Sequence, residues 1–293
     1  MPFTLSHAAA VLPLVRRTGA ARGPLITSAL VAGSFAPDVT YYAGTVVPGG
    51  MAFGAVTHAP VGVVTVDVLL TAVLVGGWLL VRAPLLALLP PGGRERLGAF
   101  VRGGVRRRTL RERAALVGWF AVSAVLGSAS HVVWDAFTHP GSWGTRLVPA
   151  LNTVVGDRPL AMHVQYGTSA LALVGIGWFL WTALRRRPAA GKGGAGRAAP
   201  ELSLRLRLLL AAPVVLGVLL GAGYRTERAY AVHGAAVGWF DYLPDLLFGA
   251  GAGLVPGLLA CAAAFRLVDR RARLRGAAAD GTAPGRPAGA GAA

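Results

Sequence analysis

Cysteine is nearly absent from this chain. Cys261 stands alone, which excludes an intrachain disulfide and any cysteine-based metal site. Charge is scarce as well: 14% of the residues are Asp, Glu, Lys or Arg, against about 25% in an ordinary soluble domain. Acidic side chains are the rarer sign, 12 against 29 basic ones. No internal repeat is visible. The opening stretch MPFTLSHAAAVLPLVRR does not read as a signal peptide, because its basic residues follow the apolar stretch instead of preceding it.

What fills the chain instead is apolar. Hydrophobic residues make up 54% of the 293, and the mean hydropathy is +0.57. A net charge of +17 would suggest nucleic acid in a soluble protein. Here the arginines lie between apolar runs and near the C-terminus, as in cytoplasmic membrane loops. Membrane lipid, and no nucleic acid, is therefore the expected partner.

Five segments are long and apolar enough to cross a bilayer: roughly Val61 to Arg82, Ala114 to Phe137, His163 to Leu184, Leu206 to Gly223 and Leu246 to Val268. Two shorter apolar stretches, Leu5 to Val15 and Leu25 to Tyr42, precede them. Joined at RRTGAARGP, they read as a helical hairpin packed within the bundle. The expected fold is an all-α, polytopic membrane bundle of about five long transmembrane helices plus a short N-terminal hairpin. Residues 1–184 form the bundle with the His/Asp cluster, 185–205 a flexible basic linker, 206–270 two further transmembrane helices, and 271–293 a disordered tail.

The arginine-rich segments 94–113, 185–207 and 266–275 are cytoplasmic by the positive-inside rule, which leaves 138–162 and 224–245 outside. The first basic segment also has the composition of an amphipathic surface helix. On this topology all six histidines, His7, His58, His131, His139, His163 and His233, fall at the outer end of a helix or in an outer loop. Asp38 and Asp135 join them.

In HVVWDAFTHPGSWG, His131 and Asp135 stand four apart, so a helix puts both on one face. Imidazole and carboxylate so placed suit zinc and other divalent metals; they equally suit a buried pair that satisfies itself. His139 lies four residues further on, just before Pro140, where the helix should stop. SHAA carries His7, GSFAPD carries Asp38, and THAP carries His58. One histidine at a helix end is an ordinary cap or interfacial residue, but four like sites at one depth argue for a shared ligand.

Asp67, nine residues on from His58, reads as a buried core carboxylate roughly two and a half turns below it. Asp245 reads as an N-cap. His163 and His233 read as interfacial packing, and Tyr41, Tyr42, Trp143, Trp239 and Tyr242 as an outer aromatic belt.

SHAAAVLPL, GSFAPDVTYY and HVVWDAFTHPGSWG resemble the signature segments of the bacterial membrane proteins grouped as domain-of-unknown-function family 4184. The likeness runs from Pro2 to at least the third long span. A wider likeness is to the inner-membrane metal-dependent hydrolase family. Its pattern of an N-terminal His, a Pro-Asp, a Thr-His and a His-x-x-x-Asp helix followed by Thr is matched in order by His7; Pro37 and Asp38; Thr57 and His58; then His131, Asp135 and Thr138. Two departures stand out: VTYY replaces a second acidic residue and a histidine after Pro-Asp, and MAFGAV lacks a histidine before Thr-His.

The resemblance implies a divalent metal, zinc first, held by His7, Asp38, His58, His131 and Asp135. His139 would be a further ligand or a catalytic proton donor to the leaving group. It implies a multi-pass protein of the inner (cytoplasmic) membrane. A more distant similarity to zinc-dependent phospholipases C points to lipid-like esters or phosphoesters. The competing expectation is a non-enzymatic membrane protein whose cluster holds a structural metal or passes an ion. A transporter should show inverted repeats, which are absent, and a membrane-anchored adaptor would leave the clustered histidines without a role.

Overall fold

The computed structural model describes residues 3–101, 109–185 and 202–281, and within them the chain is helical almost throughout. Short helices come first: α1 (Thr4–Leu14), α2 (Thr27–Gly33), α3 (Val39–Ala43), α4 (Gly54–Thr57) and α5 (Pro60–Val64). There follow α6 (Val66–Leu88), α7 (Pro91–Val101), α8 (Leu110–Thr138), α9 (Trp143–Leu147), α10 (Leu160–Arg185), α11 (Leu204–His233) and α12 (Leu243–Gly281). A two-residue antiparallel hairpin, Val154–Val155 with Arg158–Pro159, links α9 to α10.

Five of these, α6, α8, α10, α11 and α12, are long and apolar enough to span a membrane. Such segments close their backbone hydrogen bonds internally, which hydrocarbon requires. Their outer faces keep large apolar side chains exposed, among them Val73, Leu171 and Leu219. The protein is thus an all-α, multi-pass membrane bundle with short helices at its N-terminus.

The RRTGAARGP turn closes as a small ladder, with Arg16 N donating to Ala20 O (2.8 Å) and Arg22 N to Leu14 O (2.8 Å). The stretch after it is not one helix. α2 stops at Gly33, and Pro37 opens a new turn before α3.

The first long span also starts later than its hydropathy suggests. The backbone is extended at Ala59 before Pro60 and breaks again at Thr65 (φ −124°, ψ −79°), so the span begins at Val66. At the other end, α12 runs to Gly281, into the stretch expected to be disordered. The remainder of that tail, 282–293, most of the linker, 186–201, and residues 102–108 of the first basic segment lie outside the described residues.

Two cross-links show which helix ends lie together. Arg158 pairs with Asp241 (2.6 Å), and Phe240 packs on Tyr166 with ring centroids 4.8 Å apart. These join the α8–α10 connection to the α11–α12 connection. At the opposite end, Arg266 donates to Leu80 O (2.6 Å).

Small residues allow the closest helix contacts. At Gly127 of α8 a Cβ would lie 2.4 Å from Leu30 O of α2, so only hydrogen fits. That approach lets Ser128 Oγ reach Gly33 O (3.0 Å). α11 and α12 close on each other over Gly217, Gly221, Gly249, Gly253 and Gly257, a small-residue stripe typical of helix pairs in lipid.

Candidate metal centre

α8 is fixed at its start by a capping box: Glu112 N donates to Thr109 Oγ1 (3.2 Å) and Thr109 N to Glu112 Oε2 (2.9 Å). Helical spacing then sets His131 and Asp135 one turn apart on the inner face, at the outgoing end. His139 N makes the last helical bond, to Asp135 O (2.9 Å), and Pro140 ends the helix.

Three other elements bring their ligand-type side chains to that face. α1 carries His7, fully buried, with its ring stacked on His131 at 3.6 Å between centroids. The Pro37 turn presents Asp38, also fully buried. The C-terminal end of α4 presents His58, and Thr57 Oγ1 fastens that end to the turn by donating to Pro37 O (2.7 Å).

Their atoms converge. His131 Nε2 lies 3.4 Å from both Asp38 Oδ1 and Asp135 Oδ2. His58 Nε2 lies 3.8 Å from Asp38 Oδ1 and 3.7 Å from Asp135 Oδ2, and His7 Nε2 lies 3.4 Å from Asp135 Oδ1. Donor atoms of Asp38, His58, His131 and Asp135 all fall within 4.8 Å of one another, a grouping that could hold a metal ion. Two ligands about 2.0–2.1 Å from a tetrahedral zinc stand about 3.4 Å apart, close to these spacings.

The imidazoles are aimed by the backbone. His131 Nδ1 faces Ser34 O (2.8 Å) and His58 Nδ1 faces Gly54 O (2.9 Å). A carbonyl only accepts, so each Nδ1 carries a proton, and with an ion in place each Nε2 lone pair would turn to the centre. On the carboxylate side, Thr4 Oγ1 donates to Asp38 Oδ2 (2.5 Å) and Tyr42 OH to Thr4 Oγ1 (2.8 Å). Asp38 Oδ1 is left to face the histidines.

The donor set fits an ion on a further observation. His7 Nε2, Asp38 Oδ1, His131 Nε2 and Asp135 Oδ1 are buried with no hydrogen-bond partner among the described residues. Buried polar atoms are normally paired; a cation among Asp38, His58, His131 and Asp135 would engage Asp38 Oδ1 and His131 Nε2, with His7 Nε2 beside it, 3.4 Å from Asp135 Oδ1. Burial and the neighbouring His131 hold His7 near a pKa of about 3, so its imidazole is neutral. Burial alone would raise Asp38, yet His131 beside it brings the carboxyl below the usual range. Burial pushes Tyr41 and Tyr42 up to about 12, so both keep their protons.

The centre opens into a groove of about 480 Å³. His58, Asp135 and His139 are its polar wall, and Tyr41, Met51, Val132, Trp143 and Phe248 line the rest. His139 stands on the rim. Its Nδ1 lies 3.1 Å from Asp135 O and 3.7 Å from Asp135 Oδ2, and its Nε2 lies 3.4 Å from the Gln165 amide nitrogen. Burial holds its pKa below the ordinary value.

The sequence-expected residues His7, Asp38, His58, His131, Asp135 and His139 therefore meet at one place. His163 and His233 do not join them. Both are exposed, and His163 Nε2 is turned to Val155 O (3.0 Å).

Asp67 needs a correction. The breaks at Ala59 and Thr65 put it in the first turn of α6, not two and a half helical turns below His58. It is fully buried, and His58 and His131 are within electrostatic reach. Asp245 is not an N-cap either. It lies inside α12 and pairs with Arg225 Nε at 2.9 Å. The sequence carries no sign of Thr4, and Tyr42 reads there only as part of an aromatic belt, because hydroxyls in an apolar helix take meaning only from what they face.

Five spanning helices around a buried His/Asp centre define a multi-pass membrane protein with a group able to hold a metal ion. The chain belongs to the family described as Domain of unknown function (DUF4184), whose family model matches residues 1–263, from α1 through most of α12. No curated protein and no solved structure matches it.

Proposed function

We propose that this protein is a metal-dependent hydrolase of the membrane interface, acting on a lipid-like ester or phosphoester. The observation that carries the reading is the set of four buried donor atoms that make no hydrogen bond, next to a groove that Asp135 and His58 line and whose other walls are largely apolar. His7, Asp38, His58, His131 and Asp135 would hold a divalent ion, zinc by its preference for imidazole and carboxylate. What such an ion supplies is Lewis acidity and an activated water near neutral pH.

The chain's own residues do the rest. Ser34 and Gly54 orient the imidazoles through their carbonyls. His139, which lines the groove, would move a proton to or from the reacting group. Met51, Val132, Trp143 and Phe248 give an acyl or alkyl chain a dry wall. Arg111 and Arg113 begin α8, Arg185 ends α10, and Arg205 and Arg207 begin α11, each at the end of its helix away from the groove, which favours an extracytoplasmic position for the groove in the cytoplasmic membrane.

The second reading is a structural ion. It is favoured by the complete burial of His7, Asp38 and His131. One experiment separates the two. Detergent-purified protein, prepared without chelator, is assayed for metal content and for hydrolysis of short-chain fluorogenic carboxyl and phosphate esters. Metal and turnover that are both lost in His131→Ala/Asp135→Ala support the hydrolase. Metal without turnover supports the structural ion, and no metal in the wild type sinks both.

A further inference from the structure

The two oxygens of Asp38 have different partners. Oδ1 faces His58 and His131, while Oδ2 accepts from Thr4 Oγ1 (2.5 Å), which itself accepts from Tyr42 OH (2.8 Å). The direction of this chain is forced. An ionised carboxylate only accepts, Thr4 has one proton to give it, and the Thr4 lone pair must then take the Tyr42 proton. Neither Thr4 nor Tyr42 lines the groove.

Tyr42 is in turn seated by α12. Its ring meets Phe248 edge-on, 5.2 Å between centroids. On its other contact it lies over Gly251, where a Cβ would come 2.1 Å from the ring carbon Cε1. Any side chain at Gly251 must displace either Tyr42 or the helix.

We propose that Thr4 and Tyr42 are positioning residues for Asp38, and that α12 sets the metal affinity of the centre through the contact of Gly251 with Tyr42. The inference rests on the metal-binding reading of the cluster. With Oδ2 held by Thr4, Asp38 presents one oxygen to an ion instead of rotating to offer both. α12 thereby gains a role that its own side chains, which supply no ligand among the described residues, do not suggest. Groups that orient a ligand typically change metal affinity by about 10–100-fold.

The test uses the full chain in detergent with Co²⁺ and Zn²⁺ as probes. Affinity is read by chelator competition, and ligand geometry by the visible absorption of bound Co²⁺. Thr4→Val and Tyr42→Phe should each weaken binding by at least about tenfold and alter the Co²⁺ spectrum, while Thr4→Ser restores both. Tyr42→Phe should add little in the Thr4→Val background, and Gly251→Ala should reproduce Tyr42→Phe. A purely structural role would lower the melting temperature of the metal-free protein and leave the spectrum unmoved, which overturns the proposal. Wild-type affinity in folded Thr4→Val and Tyr42→Phe overturns it alone, whereas no uptake by the wild type overturns the metal reading as well. If Thr4→Val fails to fold, Tyr42→Phe and Gly251→Ala decide by the same criteria.

Discussion

His7 of α1 and His131 of α8 lie face to face, 3.6 Å between ring centroids and 19° from parallel, with neither ring exposed. Two imidazolium ions at that spacing, without water, would repel strongly. Burial, and then His131 alongside, accordingly keep His7 neutral, with a pKa of about 3.

That pairing predicts a pH dependence for the metal-free protein. Unfolded His7 would titrate near its ordinary 6.5, so between about 6.5 and about 3 the unfolded chain binds a proton that the folded chain refuses. Stability then falls as pH falls, by up to ~1.4 kcal/mol per pH unit for one proton. Asp38 adds to it in the same direction at lower pH, because its folded value lies below the ordinary one. Melting temperatures measured from pH 7.5 to 4 in detergent should decline, and His7→Asn should flatten the upper part of the curve. An unchanged slope in that variant would show His7 to be water-accessible.

Asp67 sets a second expectation. Both of its carboxylate oxygens, and Thr71 Oγ1 one turn further along α6, are buried with no hydrogen-bond partner among the described residues. A buried polar group left without a partner costs about 1–3 kcal/mol. Replacing it with an apolar residue of similar reach, Asp67→Leu, should raise the melting temperature and leave the metal content at the wild-type level. Loss of metal in a folded Asp67→Leu protein would place this carboxylate inside the centre instead.

The two exposed histidines provide the control for the other four. His58 Nε2 stands 3.7–3.8 Å from both carboxylates of the centre, while the side chain of His163 is engaged with the Val155 carbonyl on the surface. His58→Ala should lower the affinity for Zn²⁺ by one to several powers of ten, roughly 1.4 kcal/mol for each. His163→Ala and His233→Ala should leave it unchanged. Equal losses in all three would mean that exposed histidines, and not the buried cluster, take up the metal.

How far the sequence anticipates this arrangement depends on the kind of signal. His131 and Asp135 were legible because a helical period of 3.6 makes a spacing of four a statement about one face. His7, Asp38 and His58 were legible through depth, since positive-inside charge and apolar length place helix ends without knowing their packing. The break at Thr65 was not, because a threonine within an apolar run has no local cue that it will leave the helix, and Asp67 was misplaced with it. Thr4, Tyr42 and Ser34 act only through partners distant in sequence. The last of these contributes a backbone carbonyl, which any residue could supply. The same holds for Asp245, whose partner is on the preceding helix.

That partner, Arg225, yields the last prediction. It is a nearly buried cation within a spanning helix, and all its contacts run to other elements: Asp245 (2.9 Å), Tyr41 O (2.8 Å), Thr45 Oγ1 (2.9 Å) and the face of Phe248, 5.0 Å from the ring centroid. Charge in such a place is costly unless paired, and removing one partner of a buried pair strands the other at a cost of roughly 3 kcal/mol or more. Asp245 is more exposed than Arg225, which moderates the cost of stranding it. Arg225→Ala nevertheless loses its bonds to the α3 region too, so it should destabilise more than Asp245→Ala, which leaves the arginine bound to Tyr41 and Thr45. The double variant should be less destabilised than the sum of the singles by 0.5–3 kcal/mol, the range expected of residues in contact. Thermal or denaturant unfolding of the four proteins in one detergent measures the cycle. Strict additivity would mean that the ion pair contributes nothing and that Arg225 is held by the Tyr41 and Thr45 contacts alone.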